Sequence, residues 1–246
     1  MGRVIINGDD FGMNKRCTLA IAQAFGEGLI TDTTIMANGE LFDYALSLAR
    51  QQGFSDRIGI HFNLTEGTPL TQEIMSVAAF VSGGCFHKAY TKAPRPLTDT
   101  EQSAVYAELT AQVHRLLEAG IAITHADSHH YIHNIPYLAP IVARVCCENG
   151  IGKVRLQRDL GSAVGFEENN SLWRGQGFVT TAHFGRLSDV ISGDIPDDTE
   201  IMVHPDIDID GRLIDRRGMD GDIPTGDILR RLSDAGGVIL FTYCDL

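Results

Sequence analysis

Val4-Ile5-Ile6-Asn7-Gly8-Asp9-Asp10-Phe11-Gly12 opens the chain with three β-branched residues that run straight into a polar turn. β-Branched residues favour a strand, and Asn, Gly and Asp favour a turn. Asn14 follows as a helix cap, with Cys17, Ile21, Ala24 and Phe25 recurring on one side of the helix it starts. The same strand-then-polar pattern returns three times. It appears at Ile58-Gly59-Ile60-His61-Phe62, at Ile201-Met202-Val203-His204, and where a strand from Ile121 to Thr124 leads into Asp127-Ser128-His129-His130-Tyr131-Ile132-His133. Strands that alternate with helices imply a parallel sheet. Asp9, Asp10, His61, His129 and His204 all fall at or just past the C-terminal ends of different strands. In a β/α barrel those ends meet at one mouth. The expected fold is an α/β barrel in a single domain, residues 1–246.

The remaining pattern fills in around these four segments. Thr33 to Ala37 reads as a strand and Glu40 to Gln51 as a helix. Residues 63–96 are rich in Gly, Thr and Pro with little period, which predicts a long excursion over one barrel mouth. Asp99 opens a long helix with Val105, Leu109, Val113, Leu116 and Leu117 at helical spacing, ended by Gly120. Pro136 suits the first residue of a helix carrying Ile141, Val142 and Val145, which Gly150 closes. Lys153 to Leu156 reads as a strand, Gly226 to Ala235 as a short helix and Val238 to Tyr243 as a last strand. Residues 157–199 show no regular period.

A composition of 43% hydrophobic and 21% charged residues excludes a disordered chain or a fibre. The 20 Lys and Arg against 32 Asp and Glu leave a net charge of −12. That acidity repels phosphates and anionic lipids, so neither nucleic acid nor membrane is an expected partner. The five cysteines are odd in number and form no CxxC pair, which predicts reduced, mostly buried thiols in the cytoplasm. The apolar N-terminal run is too short for a signal peptide or a membrane span. Nothing in the sequence sets the oligomeric state, a homodimer included.

Several residues can carry chemistry, and each also has a plain structural reading. Adjacent residues such as Asp9 and Asp10 cannot both point the same way after a strand; one can bind a metal while the other acts as base, or the pair can simply cap and solvate a turn. His61 lies in an apolar run, where a hydrogen-bonded core histidine is the ordinary role. Three histidines and an aspartate within Asp127–His133 are the strongest local signal, with one expected to bind metal and the others to orient water or substrate. His125, earlier in that strand, reads as structural. His204 before Pro205 can protonate a leaving group or be a loop residue. Arg155 in Lys-Val-Arg-Leu is expected to be paired, holding Asp9 or contacting substrate. His87, His114 and His183 are assigned no catalytic part. An aspartate and two histidines around a divalent metal, a second carboxylate as base and a separate histidine as acid would together hydrolyse an amide.

These motifs resemble the YdjC-like (ChbG-like) family of carbohydrate, or chitooligosaccharide, deacetylases. Asn7-Gly8-Asp9-Asp10-Phe11-Gly12 is similar to the family's Asn-Ala-Asp-Asp-Phe-Gly. Gly59-Ile60-His61-Phe62-Asn63-Leu64-Thr65 is similar to its Gly-x-His-x-x-Leu-Thr. Thr124 to His133 resembles its Thr-His-x-Asp-Ser-His-x-x-x-His, and His204-Pro205 its late His-Pro. The resemblance implies a distorted TIM-like (β/α) barrel related to polysaccharide deacetylases. It implies Asp10, His61 and His129 as metal ligands, Asp9 as base and His204 as acid; from their positions, His133 and Arg155 are expected to bind substrate. It also implies a divalent metal, magnesium (Mg2+) with zinc (Zn2+) as the alternative, and removal of an N-acetyl group from an amino sugar or chitooligosaccharide. Two alternatives stand beside it: another metal-dependent barrel hydrolase or isomerase acting on sugars or sugar phosphates, and a sugar-binding protein with a vestigial metal site. The chain departs from the family after His204, where Asp-Ile-Asp-Ile-Asp-Gly-Arg follows. It departs also near Gly226, which lacks an Arg-x-x-Glu-Leu, and at His183, where an Asp is expected.

Overall fold

The computed structural model describes residues 2–160, 166–190, 195–215 and 238–246. The opening apolar run extends through the whole polar motif as β1 (Gly2–Phe11). After it come α1 (Lys15–Gly26), β2 (Asp32–Ile35), α2 (Phe42–Gln52) and β3 (Ile58–Phe62). Asn14 caps α1 as expected, its side chain accepting from the backbone N–H groups of Arg16 and Cys17.

The 63–96 excursion carries small elements that its composition does not reveal. They are α3 (Gln72–Met75), the hairpin β4 (Val81–Ser82) with β5 (Cys85–Phe86), and α4 (Ala89–Lys92). The long helix α5 (Asp99–Glu118) starts at a capping box between Thr98 and Glu101. Its Val105, Leu109, Val113 and Leu116 are buried, whereas Leu117 is 43% exposed.

Four further expectations need correction. The strand expected at Ile121–Thr124 lies later, as β6 (Ala126–Ser128), because pairing with β3 runs Ile60 to Ala126 and His61 to Asp127. Pro136 sits in a turn; the helix is α6 (Ala139–Glu148), with Pro140 in its first turn. Lys153 and Val154 make isolated bridges instead of a full strand. The stretch 157–199 is partly regular, holding α7 (Phe166–Gly175), β7 (His183–Arg186) and α8 (Leu187–Val190).

β8 (Thr199–Val203) ends just before His204, and β9 (Pro205–Ile207) pairs antiparallel with β10 (Leu213–Asp215). The final strand is only β11 (Val238–Leu240), followed by a tight turn at Tyr243–Asp245. The helix expected at Gly226–Ala235 lies outside the described residues.

The parallel ladder runs β6-β3-β2-β1-β8-β7, with β11 on the first residues of β1. Bridges from Ala126 to Val154 and from Lys153 to Val179 extend it beyond β6. This is a parallel half-barrel, and among the described residues the strands form no unbroken closed ring. Period-2 alternation gives its two faces different roles. Val4, Ile6, Ile201 and Val203 pack with Ile21 of α1, Leu46 of α2 and Leu109 of α5 in the main core. Asn7, Asp9 and Glu200, at the alternate positions, are buried polar residues. The helices thus seal one face of the sheet and leave the other for chemistry. Two of the five cysteines, Cys17 and Cys146, are buried; Cys85, Cys147 and Cys244 are exposed, against expectation.

Gly59 shows why the Gly-x-His motif begins with glycine. A Cβ there would lie 2.6 Å from the His125 ring and 2.7 Å from its carbonyl oxygen. That carbonyl accepts the Ile60 N–H that ties β3 to the strand carrying the histidine cluster. Gly59→Ala is expected to cost about 1–3 kcal/mol through overpacking, read from urea unfolding. An unchanged unfolding midpoint would mean that His125 yields freely.

Candidate functional site

A break in β1 creates the site. The β1–β2 register shifts between Gly8 and Phe11, and Asp10 takes a left-handed φ of 70°. A bulge re-aims side chains that strict alternation would send to opposite faces. Asp9 and Asp10 consequently enter the same buried region but meet different partners.

Asp10 faces two histidines. Its Oδ1 lies 3.2 Å from His61 Nε2 and 2.7 Å from His129 Nδ1. Each of the three residues is at most 3% exposed. His61 Nε2 and both ring nitrogens of His129 make no hydrogen bond among the described residues. The other nitrogen of His61 is taken: Nδ1 lies 2.6 Å from Asp127 Oδ1 and 3.1 Å from Thr34 Oγ1. A carboxylate behind a histidine is the usual device for aiming the opposite nitrogen at a metal. His129 Nε2 lies 3.5 Å from Glu66 Oε2, and Glu66 is held by Lys88 at 2.7 Å.

The electrostatics agree with a cation site. Burial opposes a charge on His61, yet Asp127, Asp10 and Asp9 outweigh it and push the ring up to about 10. Burial likewise works against ionised Asp10, but His129 and His61 hold it well below the usual carboxylate range. The donor set of one carboxylate oxygen and two imidazole nitrogens, all within 4.8 Å of one another, can hold a metal ion.

Asp9 is clamped by Arg155. Nη1 donates to Asp9 Oδ2 and Nη2 to Oδ1, both at 2.7 Å, and Asn7 Nδ2 donates to Oδ1 at 2.9 Å. Arg155 also reaches Asp127 Oδ2 at 2.6 Å and Glu200 Oε1 at 2.8 Å, and it is fully buried. Burial raises the Asp9 pKa, but the Arg155 charge and hydrogen bonds override it and hold Asp9 below the usual range. Burial pushes Glu200 up to about 7 despite Arg155 and the Tyr243 hydroxyl, and the charge of Asp127 adds to the rise. Of the two roles open to Arg155, the structure therefore places it on Asp9; it does not line the cavity.

His204 Nε2 lies 4.0 Å from Asp9 Oδ2, and its Nδ1 lies 3.9 Å from Asp215 Oδ1. Asp9, His61, His129 and His204 border a cavity of about 300 Å³, completed by Ser128, His130, Tyr131, Arg186 and Met202. His130 and Tyr131 both have φ of 54°, a strained kink that swings them to the cavity wall. His133 is not among these residues. It is fully buried, with Nδ1 on Ser128 Oγ and Nε2 on Asn134, so the structure does not bring it to the substrate space.

The sequence reading missed several contributors. Asp127 was visible in the histidine cluster but had no assigned partner. Glu200 carried a faint signal, a charge inside the strand run Thr-Glu-Ile-Met-Val. Thr34, Glu66 and Asp215 carried no distinguishing pattern, and Arg186 lies in the stretch without a period.

A model of the YdjC-like protein family matches residues 3–230. The chain belongs to this family. A carbohydrate deacetylase of Listeria welshimeri is 31% identical over 205 residues, covering 82% of this chain and 81% of that protein. One from Listeria monocytogenes is 30% identical over the same span. Among solved structures, a candidate cellobiose-phosphate cleavage protein from Enterococcus faecalis superimposes with a TM-score of 0.76 at 20% identity, over 99% of this chain and 98% of that one. A lactam utilization protein from Thermus thermophilus gives 0.53 at 13% identity, over 98% and 99% of the two chains. These two likenesses speak to the fold. Among the described residues of this YdjC-like chain, no helix is long and apolar enough to cross a membrane.

The ligand set is tested by metal content. His61→Ala is expected to lower divalent-metal affinity by at least roughly tenfold, measured by calorimetric titration and elemental analysis. Full occupancy in that variant would rule out Asp10, His61 and His129 as the centre.

Proposed function

We propose that this YdjC-like protein is a metal-dependent hydrolase that removes the N-acetyl group from an acetylated amino sugar or chitooligosaccharide. The observation that carries the reading is one cavity bordered by His61 and His129, which share a buried group with Asp10, by the arginine-held Asp9 and by His204. The carbohydrate deacetylases among its relatives support the same chemistry.

A divalent cation held by Asp10, His61 and His129 would supply Lewis-acid polarisation of the acetamide carbonyl. We propose magnesium, following the family resemblance, with zinc as the alternative because two imidazoles suit it. Asp9 serves as general base for the attacking water. Arg155 keeps Asp9 ionised and fixes both its oxygens, so no reorientation is needed as the proton moves. His204 faces the same space and protonates the departing sugar amine, with Asp215 Oδ1 3.9 Å from its far nitrogen. Breaking the C–N bond then gives acetate and a free amino sugar. His130, Tyr131, Arg186 and Met202 form the wall against which the sugar rests.

Arg186 favours a second reading of the substrate. Its Nε is buried without a hydrogen bond among the described residues, which suits an acidic group on the sugar. We also propose that the bridges at Val154 and Val179 carry the half-barrel toward a closed, distorted TIM-like ring, and that the unpaired cysteines reflect a cytoplasmic location.

Acetate release from N-acetylglucosamine oligomers, with magnesium or zinc added or withheld, tests the whole reading. No release with any divalent metal would remove deacetylation, and metal binding without turnover would favour the sugar-binding alternative. Asp9→Asn keeps the shape and loses the base. It is expected to retain metal and to slow turnover roughly 100- to 10,000-fold. Near-normal rates would exclude the role.

His204→Gln is expected to slow amide hydrolysis by roughly 100-fold or more while sparing an activated ester whose leaving group needs no proton. Paired rate measurements on the two substrates check this. Equal slowing of both would take the acid role away from His204.

A further inference from the structure

Tyr243 is not among the residues that line the cavity, yet its side chain is fully buried. The turn that holds it is pinned on several sides. Thr242 and Asp245 form a capping box, the Tyr243 N–H donates to Asp32 Oδ1 at 3.2 Å, and Lys153 Nζ donates to the Tyr243 carbonyl.

Two chains of contacts lead from this side chain to Asp9. In the first, the Tyr243 hydroxyl donates to Glu200 Oε2 at 2.5 Å. Glu200 Oε1 accepts from Arg155 Nε at 2.8 Å, and Arg155 holds both oxygens of Asp9. In the second, the Tyr243 ring stacks on His125 at 3.6 Å and 6°. His125 Nε2 lies 3.2 Å from Asn7 Oδ1, and Asn7 Nδ2 donates to Asp9 Oδ1. Thr124 Oγ1 can donate to the other ring nitrogen, leaving Nε2–H to point at Asn7. Burial, then the charge of Arg155, keep His125 neutral, as that pattern requires.

The guanidinium is rigid and planar, so the direction of its Nε–H fixes the plane in which the two Nη groups meet Asp9. Glu200 sets that direction. A carboxylate held at only one oxygen can rotate; Tyr243 holds the second.

We propose that Tyr243 is a positioning residue for the reaction, acting through Glu200 and Arg155 to fix the orientation of Asp9. The kinetic consequence rests on the deacetylase reading, in which Asp9 is the base. The orientation of Arg155 does not depend on it.

The full chain is compared as wild type, Tyr243→Phe, Asp9→Asn and the double variant. Phenylalanine keeps the ring on His125 and removes only the hydroxyl. Acetate release gives kcat and KM, and proton–nitrogen NMR follows solvent exchange of the Arg155 Nε–H. Tyr243→Phe is expected to lower kcat by roughly tenfold to a hundredfold with KM within about twofold. On the Asp9→Asn background it should cost nothing further, since the residue through which it acts has already lost its function. The Nε–H should exchange at least roughly tenfold faster, as its fixed acceptor loosens.

Wild-type kcat in Tyr243→Phe, or an equal loss on both backgrounds, overturns the proposal. So does unchanged Nε–H exchange. A wild-type enzyme that releases no acetate overturns the deacetylase reading instead, and the exchange measurement then decides the positioning role alone. Should Tyr243→Phe fail to fold, Glu200→Gln keeps the shape of the link and removes its charge. It must show the same kcat loss, absent on the Asp9→Asn background, or the proposal falls.

Discussion

One buried guanidinium faces three buried carboxylates. Arg155 contacts Asp9, Asp127 and Glu200, all buried, and no other arginine or lysine forms an ion pair with any of the three among the described residues. Arg155 alone cannot neutralise three carboxylates, and His61, 2.6 Å from Asp127, adds positive charge beside it. The strain appears in the neighbours: Glu200 is pushed up to about 7 by burial, and His61 is pushed up to about 10 because its carboxylate neighbours outweigh its burial. On the side of His61, the Asp10, His61 and His129 group could hold a metal ion. Losing Arg155 would leave buried carboxylates uncompensated.

Arg155 also links elements far apart in sequence. It joins β1 through Asp9, β6 through Asp127 and β8 through Glu200. A planar donor with fixed angles constrains three strands at once, whereas a lysine would give a point charge and leave each carboxylate free to turn. The apolar core on the helix side supplies the burial that stabilises the sheet. The arginine supplies the geometry on the other face.

Much of this was legible in the sequence. β3 was read at its observed bounds because Ile58-Gly59-Ile60-His61-Phe62 is short, apolar and flanked by turn formers. The family resemblance named Asp10, His61 and His129 together, and the structure brings these three side chains within reach of one another. The limits have physical causes as well. Pro136 carries the same local signal as Pro140, but Pro136 sits in a turn and α6 starts only at Ala139. His133 looked like a site residue because it shares a cluster with His129, but the kink at His130 and Tyr131 sends it inward to Ser128 and Asn134. Glu200, Asp215 and Tyr243 matter through partners many residues away, and no local period encodes such pairings.

The step that makes the site possible is the irregularity in β1. Strict alternation puts Asn7 and Asp9 on the polar face and sends the next residue toward the helices, among Ile6, Ile21 and Ile30. An ionised Asp10 buried there would have no partner. The register shift and the left-handed φ of Asp10 turn it back beside Asp9, and aspartate is among the few non-glycine residues that tolerate that backbone. The strain costs on the order of 1–3 kcal/mol. In return, two adjacent residues of one strand reach two different partners. Arg155 takes Asp9, His61 and His129 face Asp10, and two carboxylates with different partners come to stand side by side at one end of the sheet.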